Sequence, residues 1–183
     1  MNPAGQVRIA VVFVLALAFF AVAPKVCAIP GEEIKPPFGL QWGETQERLE
    51  NLLKGAKAQI LDRHTAEDGR MAWIVEGLVS ANLKRSVFYF KTDQLVEVEL
   101  QYQNSEWDNV KYDDFMASVR RQLENKYGSG QLVARSKTPE GEVMQTLVGY
   151  KWNRNNAAVQ LFYFAAEKGA EIYRAVSVHY RLN

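Results

Sequence analysis

Cysteine is almost missing from this chain: Cys27 is the only one in 183 residues. One cysteine cannot close an internal disulfide, so packing has to hold the fold. Histidine is nearly as scarce, with His64 and His179 alone. His64 lies in the polar stretch Asp62-Arg63-His64-Thr65-Ala66-Glu67-Asp68, where His64, Glu67 and Asp68 could in principle share a metal or an acid–base task. No second histidine or cysteine nearby completes such a set, so the stretch reads as a solvated turn and no metal or cofactor is expected. An excess of either charge is also lacking, with 22 basic and 21 acidic side chains. That balance gives no reason to invoke nucleic acid or an anionic membrane. The chain has no Gly-x-Ser-x-Gly elbow either. Gly128-Ser129-Gly130 follows a helical pattern and reads as a helix stop. The glycines form no phosphate-binding loop.

Long apolar runs are limited to one, Ile9 to Ala23. It follows Arg8 and the terminal amine, and Pro24 and Lys25 end it. Fifteen residues fall short of the about 20 needed to span a hydrocarbon core roughly 30 Å thick. A positive start, a short apolar stretch and small residues after it make a secretory signal, expected over residues 1–28. Cleavage is expected after Ala28, with Ala23 as the alternative point. A lipid-anchored form would use Cys27, but Pro24-Lys25-Val26 does not resemble the Leu-small-small run of lipoprotein signals. Cleavage after Ala28 leaves 155 residues with no cysteine, with 20 basic and 21 acidic side chains. The expected location is periplasmic or secreted, with no membrane span in the mature chain. A chain of that size buries roughly 70% of its unfolded surface, enough for a real core.

Residues 29–37 are rich in Pro and Glu and read as a flexible or extended lead. A first helix follows Thr45, a good acceptor for free amides, with Leu49, Leu52 and Leu53 on one face and Gly55 at its end. A second begins near Asp113 and Asp114, where the helix dipole favours negative charge. It carries Phe115, Met116, Val119, Leu123 and Tyr127 at helical spacing and stops at Gly128. Strands are expected at 59–64, 70–78, 84–91 and 95–103, then at 131–137, 142–152, 157–165 and 171–181. Val96, Val98, Leu100 and Tyr102 alternate with Glu97, Glu99 and Gln101, the pattern of a half-buried strand. Val176, Val178, Tyr180 and Leu182 alternate with Ser177, His179 and Arg181 in the last one.

The two halves also align with one another. Gln59 to Arg63 matches Gln131 to Arg135, and Gly69 and Gly77 then meet Gly141 and Gly149. Phe88-Tyr89-Phe90 matches Phe162-Tyr163-Phe164, and Tyr102 matches Tyr180. Each half reads as a helix followed by four strands. The expected fold is α+β: two tandem α-β-β-β-β repeats, 38–104 and 105–183, forming one compact unit. Their antiparallel sheet of about eight strands has its helices on one face.

This arrangement, with the opening Phe38-Gly39-Leu40-Gln41-Trp42-Gly43-Glu44-Thr45, resembles the exported architecture of β-lactamase inhibitory proteins and BamE-like small envelope proteins. The chain departs from the inhibitory proteins in having no disulfide. The resemblance implies binding of a protein partner through a sheet face. It does not name the partner, because fold does not fix function.

Strand alternation puts Tyr89 and Tyr163 on the face opposite Phe88, Phe90, Phe162 and Phe164. If the phenylalanines fill the core, the tyrosines lie on the free face with Tyr173 and His179, joined by Trp73. Interfaces favour such aromatics. The same residues could instead be covered by the protein itself, since Tyr is a good strand former. Glu97 and Glu99 share one strand face and read as ordinary exposed carboxylates. The expectation is therefore a non-enzymatic interaction module of the bacterial envelope. A small hydrophobic-ligand carrier, with a cleft between sheet and helices, is the first alternative. An enzyme with a dispersed site is the second, since active sites need not leave linear motifs.

Overall fold

The structure is a computed structural model that describes residues 32–183. The expected signal and both candidate cleavage points lie outside the described residues. The lead from residue 32 is docked, not free. Ile34 is fully buried in the core, and its carbonyl accepts from the Trp42 indole at 3.0 Å. Glu32 pairs with Lys126 at 3.1 Å.

The first helix, α1 (Gln46–Gly55), starts where expected. The Thr45 hydroxyl accepts from the Arg48 amide at 3.2 Å and so satisfies one of the free donors of the first turn. Leu49 and Leu53 are buried, while Leu52 is partly exposed at the edge of the apolar stripe. The second helix, α2 (Asn109–Tyr127), begins earlier than the charge pattern suggested. Its cap is Asp108, whose carboxylate accepts from the Lys111 amide at 2.9 Å. Asp113 and Asp114 lie a turn inside the helix. Tyr112, Met116, Leu123 and Tyr127 form the buried stripe. Gly128 ends the helix with φ +79°, a conformation that side-chain-bearing residues rarely adopt.

Four strands follow α1: β1 (Gln59–Thr65), β2 (Met71–Glu76), β3 (Leu83–Lys91) and β4 (Gln94–Tyr102). Four follow α2: β5 (Gln131–Glu140), β6 (Val143–Arg154), β7 (Ala157–Lys168) and β8 (Glu171–Leu182). They form one eight-stranded antiparallel sheet in the order β1-β2-β3-β4-β8-β7-β6-β5. The last strand in sequence therefore lies at the centre, against β4. Glu97 to Tyr102 of β4 pair with Arg181 to Val176 of β8.

One face of this sheet carries the core. Trp73, Val75, Phe88, Phe90, Val98, Leu100, Val176, Val178, Leu161, Val159 and Trp152 pack with the buried stripes of both helices. Strand register decides which residues join them. Val98 faces Phe88 across β3–β4 and Tyr180 across β4–β8, while Val176 faces Tyr163 across β7–β8. Tyr163 therefore lies on the helix side, where its ring is 6.3 Å from Tyr112.

Two expectations fall with this register. Phe162 and Phe164 face away from the helices, so the two Phe-Tyr-Phe triplets present opposite faces. The pairing of Gly77 with Gly149 also fails. Gly77 sits after β2 at φ +88°, whereas Gly149 lies inside β6. A Cβ on Gly149 would come within 2.4 Å of the Phe162 ring, so the ring occupies the space that a side chain would take. The element order of the halves matches, and Gly69 and Gly141 both turn the first hairpin of their half at positive φ, but the Phe-Tyr-Phe triplets and the Gly77–Gly149 pair do not align as the sequence suggested.

Leu123 is 6% exposed and packs under α2. Leu123→Ala should destabilise the fold by about 2–5 kcal/mol, from lost transfer energy and the cavity left behind. Val110, on the exposed side of the same helix, should tolerate alanine within about 0.5 kcal/mol. Denaturant melts of both variants check the packing. Equal small shifts would show that α2 does not use this face.

Candidate functional site

The sheet face away from the helices carries a continuous polar network across its central strands. The β1–β2 turn starts it. Gly69 adopts φ +80°, and the Asp68 carboxylate accepts from the Arg70 amide at 3.2 Å and from its Nε at 2.6 Å. The turn aims the Arg70 guanidinium over the Tyr89 ring, 4.5 Å from its centroid. Its Nη1 then reaches the Glu97 carboxylate at 2.6 Å. The other Glu97 oxygen lies 3.2 Å from His179 Nδ1. His179 Nε2 lies 3.1 Å from the Ser177 hydroxyl and 3.7 Å from Glu99.

Glu99 completes the second branch. The Tyr89 hydroxyl donates to it at 3.2 Å, and Gln101 Nε2 donates at 2.6 Å. Arg85 Nε in turn donates to the Gln101 carbonyl oxygen. Apart from Asp68 and Arg70 of the turn, adjacent strands supply the members, because β3 pairs with β4 and β4 with β8 in this register.

Glu97 and Glu99 were expected to be exposed. They are 7% and 9% exposed, covered by their own network partners. A buried carboxylate needs such partners to stay charged. Burial pushes the Glu97 carboxyl upward, but hydrogen bonds from His179 and Arg70 outweigh it and hold the group below its ordinary value. Burial, with the charges of Glu99 and Glu97, pushes the Tyr89 hydroxyl well above the ordinary phenol range. Tyr89 therefore stays protonated and donates.

An aromatic patch borders the network on β7 and β8. Phe162 lies edge-on to His179 with ring centroids 5.7 Å apart. Phe164 and Tyr173 pack at 6.1 Å. Tyr173 is 45% exposed.

Of the residues expected here, Tyr89 and His179 join the network, while Tyr173 shares the face but packs on Phe164 six residues along β8 from His179. Trp73 does not belong: it is 2% exposed and packs on Phe90 in the core. Its strand neighbour Glu76 shares parity with Ala72 and Ile74, which marks those three as the outward set and Trp73 as inward. Tyr163 does not belong either. Burial raises its hydroxyl while Arg174 lowers it, on the helix side.

Phe162, Phe164, Arg70 and Ser177 were missed. Gln160 carried the signal for the phenylalanines, since it shares their parity as the polar residue of Val159 to Phe164. No local pattern marks Arg70, because a turn delivers it from two strands away. His64 lies on β1 with Asp62 at 2.8 Å, and among the described residues no group of His, Cys, Asp and Glu could hold a metal. No described helix is long and apolar enough to cross a membrane.

No family model, no curated protein and no solved structure matches the chain.

The depressed Glu97 carboxyl makes a signed prediction. Its contribution to stability is present above the unfolded carboxyl value, about 4.3, and is lost as pH falls through the lower folded value. Glu97→Gln should cost about 1–3 kcal/mol at pH 7, because charge-assisted hydrogen bonds are lost. The gap between variant and wild type should close below pH 4. Melts between pH 3 and pH 8 measure this. A gap constant over that range would show that Glu97 does not carry a stabilising charge.

Proposed function

We propose that this chain is an exported protein-interaction module of the bacterial envelope that binds its partner through the helix-free sheet face. One observation carries the reading: the uncovered face pairs a fixed polar network with an aromatic border. Interface centres favour aromatic and Arg anchors held in place beforehand, because ordering them on binding costs free energy. Here Arg70, Arg85 and Tyr89 are already tied by hydrogen bonds. Phe162, Phe164 and Tyr173 supply apolar area beside them. The reading takes the two helix-plus-four-strand halves as tandem copies of one unit, joined at the β4–β8 seam.

The carrier alternative has less support. Between the helices and the sheet lie cavities of about 170 Å³, beside Met116 and Tyr150, and about 160 Å³, beside Leu49 and Phe88. Sites for small molecules usually enclose roughly 300–1,000 Å³.

Phe162→Ala and Tyr173→Ala should each weaken capture of an envelope partner by about tenfold, since truncating an interface anchor costs 1–2 kcal/mol or more. Their melts should change much less than that of Leu123→Ala. Pull-downs from envelope extract, with N-terminal sequencing of the recovered protein, test binding and export together. The mature chain should begin near Ile29. Undiminished capture by both variants would remove the free face from the account. A full-length chain retained in the membrane would remove export.

A further inference from the structure

The polar network contains an arrangement that binding does not require. Ser177 and His179 are two residues apart on β8 and so share a face. His179 Nε2 lies 3.1 Å from Ser177 Oγ, and Nδ1 lies 3.2 Å from the Glu97 carboxylate. The contacts dictate the tautomer. An ionised carboxylate only accepts, so Nδ1 must carry the proton, and neutral imidazole then offers its Nε2 lone pair to the serine hydroxyl. Glu99 Oε1, at 3.7 Å from Nε2, stands beyond hydrogen-bond reach. Glu97 is anchored from the other side by Arg70 at 2.6 Å, with Arg181 3.9 Å away. Nucleophile, base and orienting carboxylate are thus linked in the order that acyl transfer needs.

The flanks of Ser177 differ. Across β4–β8 its partner is Gln101, and across β7–β8 it is Phe162. The Gln101 amide gives one proton to Glu99 and keeps a second, while Arg85 bonds Gln101 and brings positive charge to that side. Such donors can meet a developing oxyanion. On the other side the Phe162 ring lies over Gly149 and offers an apolar surface.

We propose that Ser177 is a nucleophile, activated by His179 and positioned by Glu97, that takes the acyl group of a carboxylic ester whose apolar part lies against Phe162. In the first step Ser177 Oγ bonds to the acyl carbon and its proton passes to His179 Nε2. The ester C–O bond breaks, and the leaving alkoxide takes that proton to depart as an alcohol. Water then attacks the acyl-serine carbon and gives a proton to Nε2. The Ser177 oxygen leaves and recovers the proton, releasing the carboxylic acid. Atoms balance, and nothing is oxidised or reduced. This activity is independent of the partner-binding reading and needs no partner to be observed.

The test is labelling of the full chain by an alkyl fluorophosphonate, a probe of activated serines, read by intact mass and peptide mapping. One adduct should form, on Ser177, and Ser177→Ala should remove it. His179→Gln should slow labelling by about 10²-fold or more, the scale of general-base assistance. Glu97→Gln should also slow it, and Glu97→Asp should recover part of the lost rate, because a carboxylate again faces Nδ1. A purely structural role for Glu97 would leave the labelling rate of a folded Glu97→Gln chain unchanged. Circular dichroism at the labelling temperature confirms that each variant is folded, and Ser177→Ala removes no buried charge. No adduct on Ser177 in the wild-type chain would overturn the proposal. So would an adduct that forms equally fast in a folded His179→Gln chain.

Discussion

The pairing of β4 with β8 is the constraint on which the rest of the structure depends. It joins the two halves of the sheet, and its register sets both faces at once. Val98, Leu100 and Tyr102 meet Tyr180, Val178 and Val176 under the helices. Their neighbours Glu97, Glu99 and Gln101 meet Arg181, His179 and Ser177 on the other side. Because side chains alternate along a strand, sliding one strand by a single residue would exchange these sets. Carboxylates would then enter the apolar core, and valines would replace the network. Core and site are consequences of one register.

The two faces solve opposite problems. The helix side gains from removing apolar area from water, a term of about 25 cal/mol per Å² that does not depend on direction. The network side has to keep buried carboxylates charged, which depends on direction and distance. Arg70 matters for that reason. It enters from a turn, crosses the Tyr89 ring and ends on Glu97, so three elements must be in place before that carboxylate is satisfied. A network of this kind favours one arrangement of its strands, because partial satisfaction is costly.

Much of the architecture was legible in the sequence. All eight strands and both helices appear near the expected positions, since Val98-Leu100-Tyr102 and Val176-Val178-Tyr180 alternate cleanly and Thr45 and Gly128 mark helix ends. The site was only half legible. Tyr89 was read outward by alternation from Phe88 and Phe90, and His179 because Val176, Val178 and Tyr180 take the other parity of its strand. β7 misled because Leu161-Phe162-Tyr163-Phe164 is apolar at both parities, so the likeness of the two Phe-Tyr-Phe triplets pointed to the wrong face. Tyr163 is accepted inside because Tyr112 and Arg174 are there to receive it. The burial of Glu97 and Glu99 could not be read locally. For Glu97 it arises with Arg70 and His179, which lie 27 and 82 residues away in sequence.

The most direct test of this account is the register of the central seam in solution. Interstrand nuclear Overhauser contacts across β4 and β8 report it residue by residue. Leu100 should lie opposite Val178, and Glu99 opposite His179. Contacts that place Leu100 opposite Ser177 or His179 would contradict it, since that slip would dismantle the core and the polar network together.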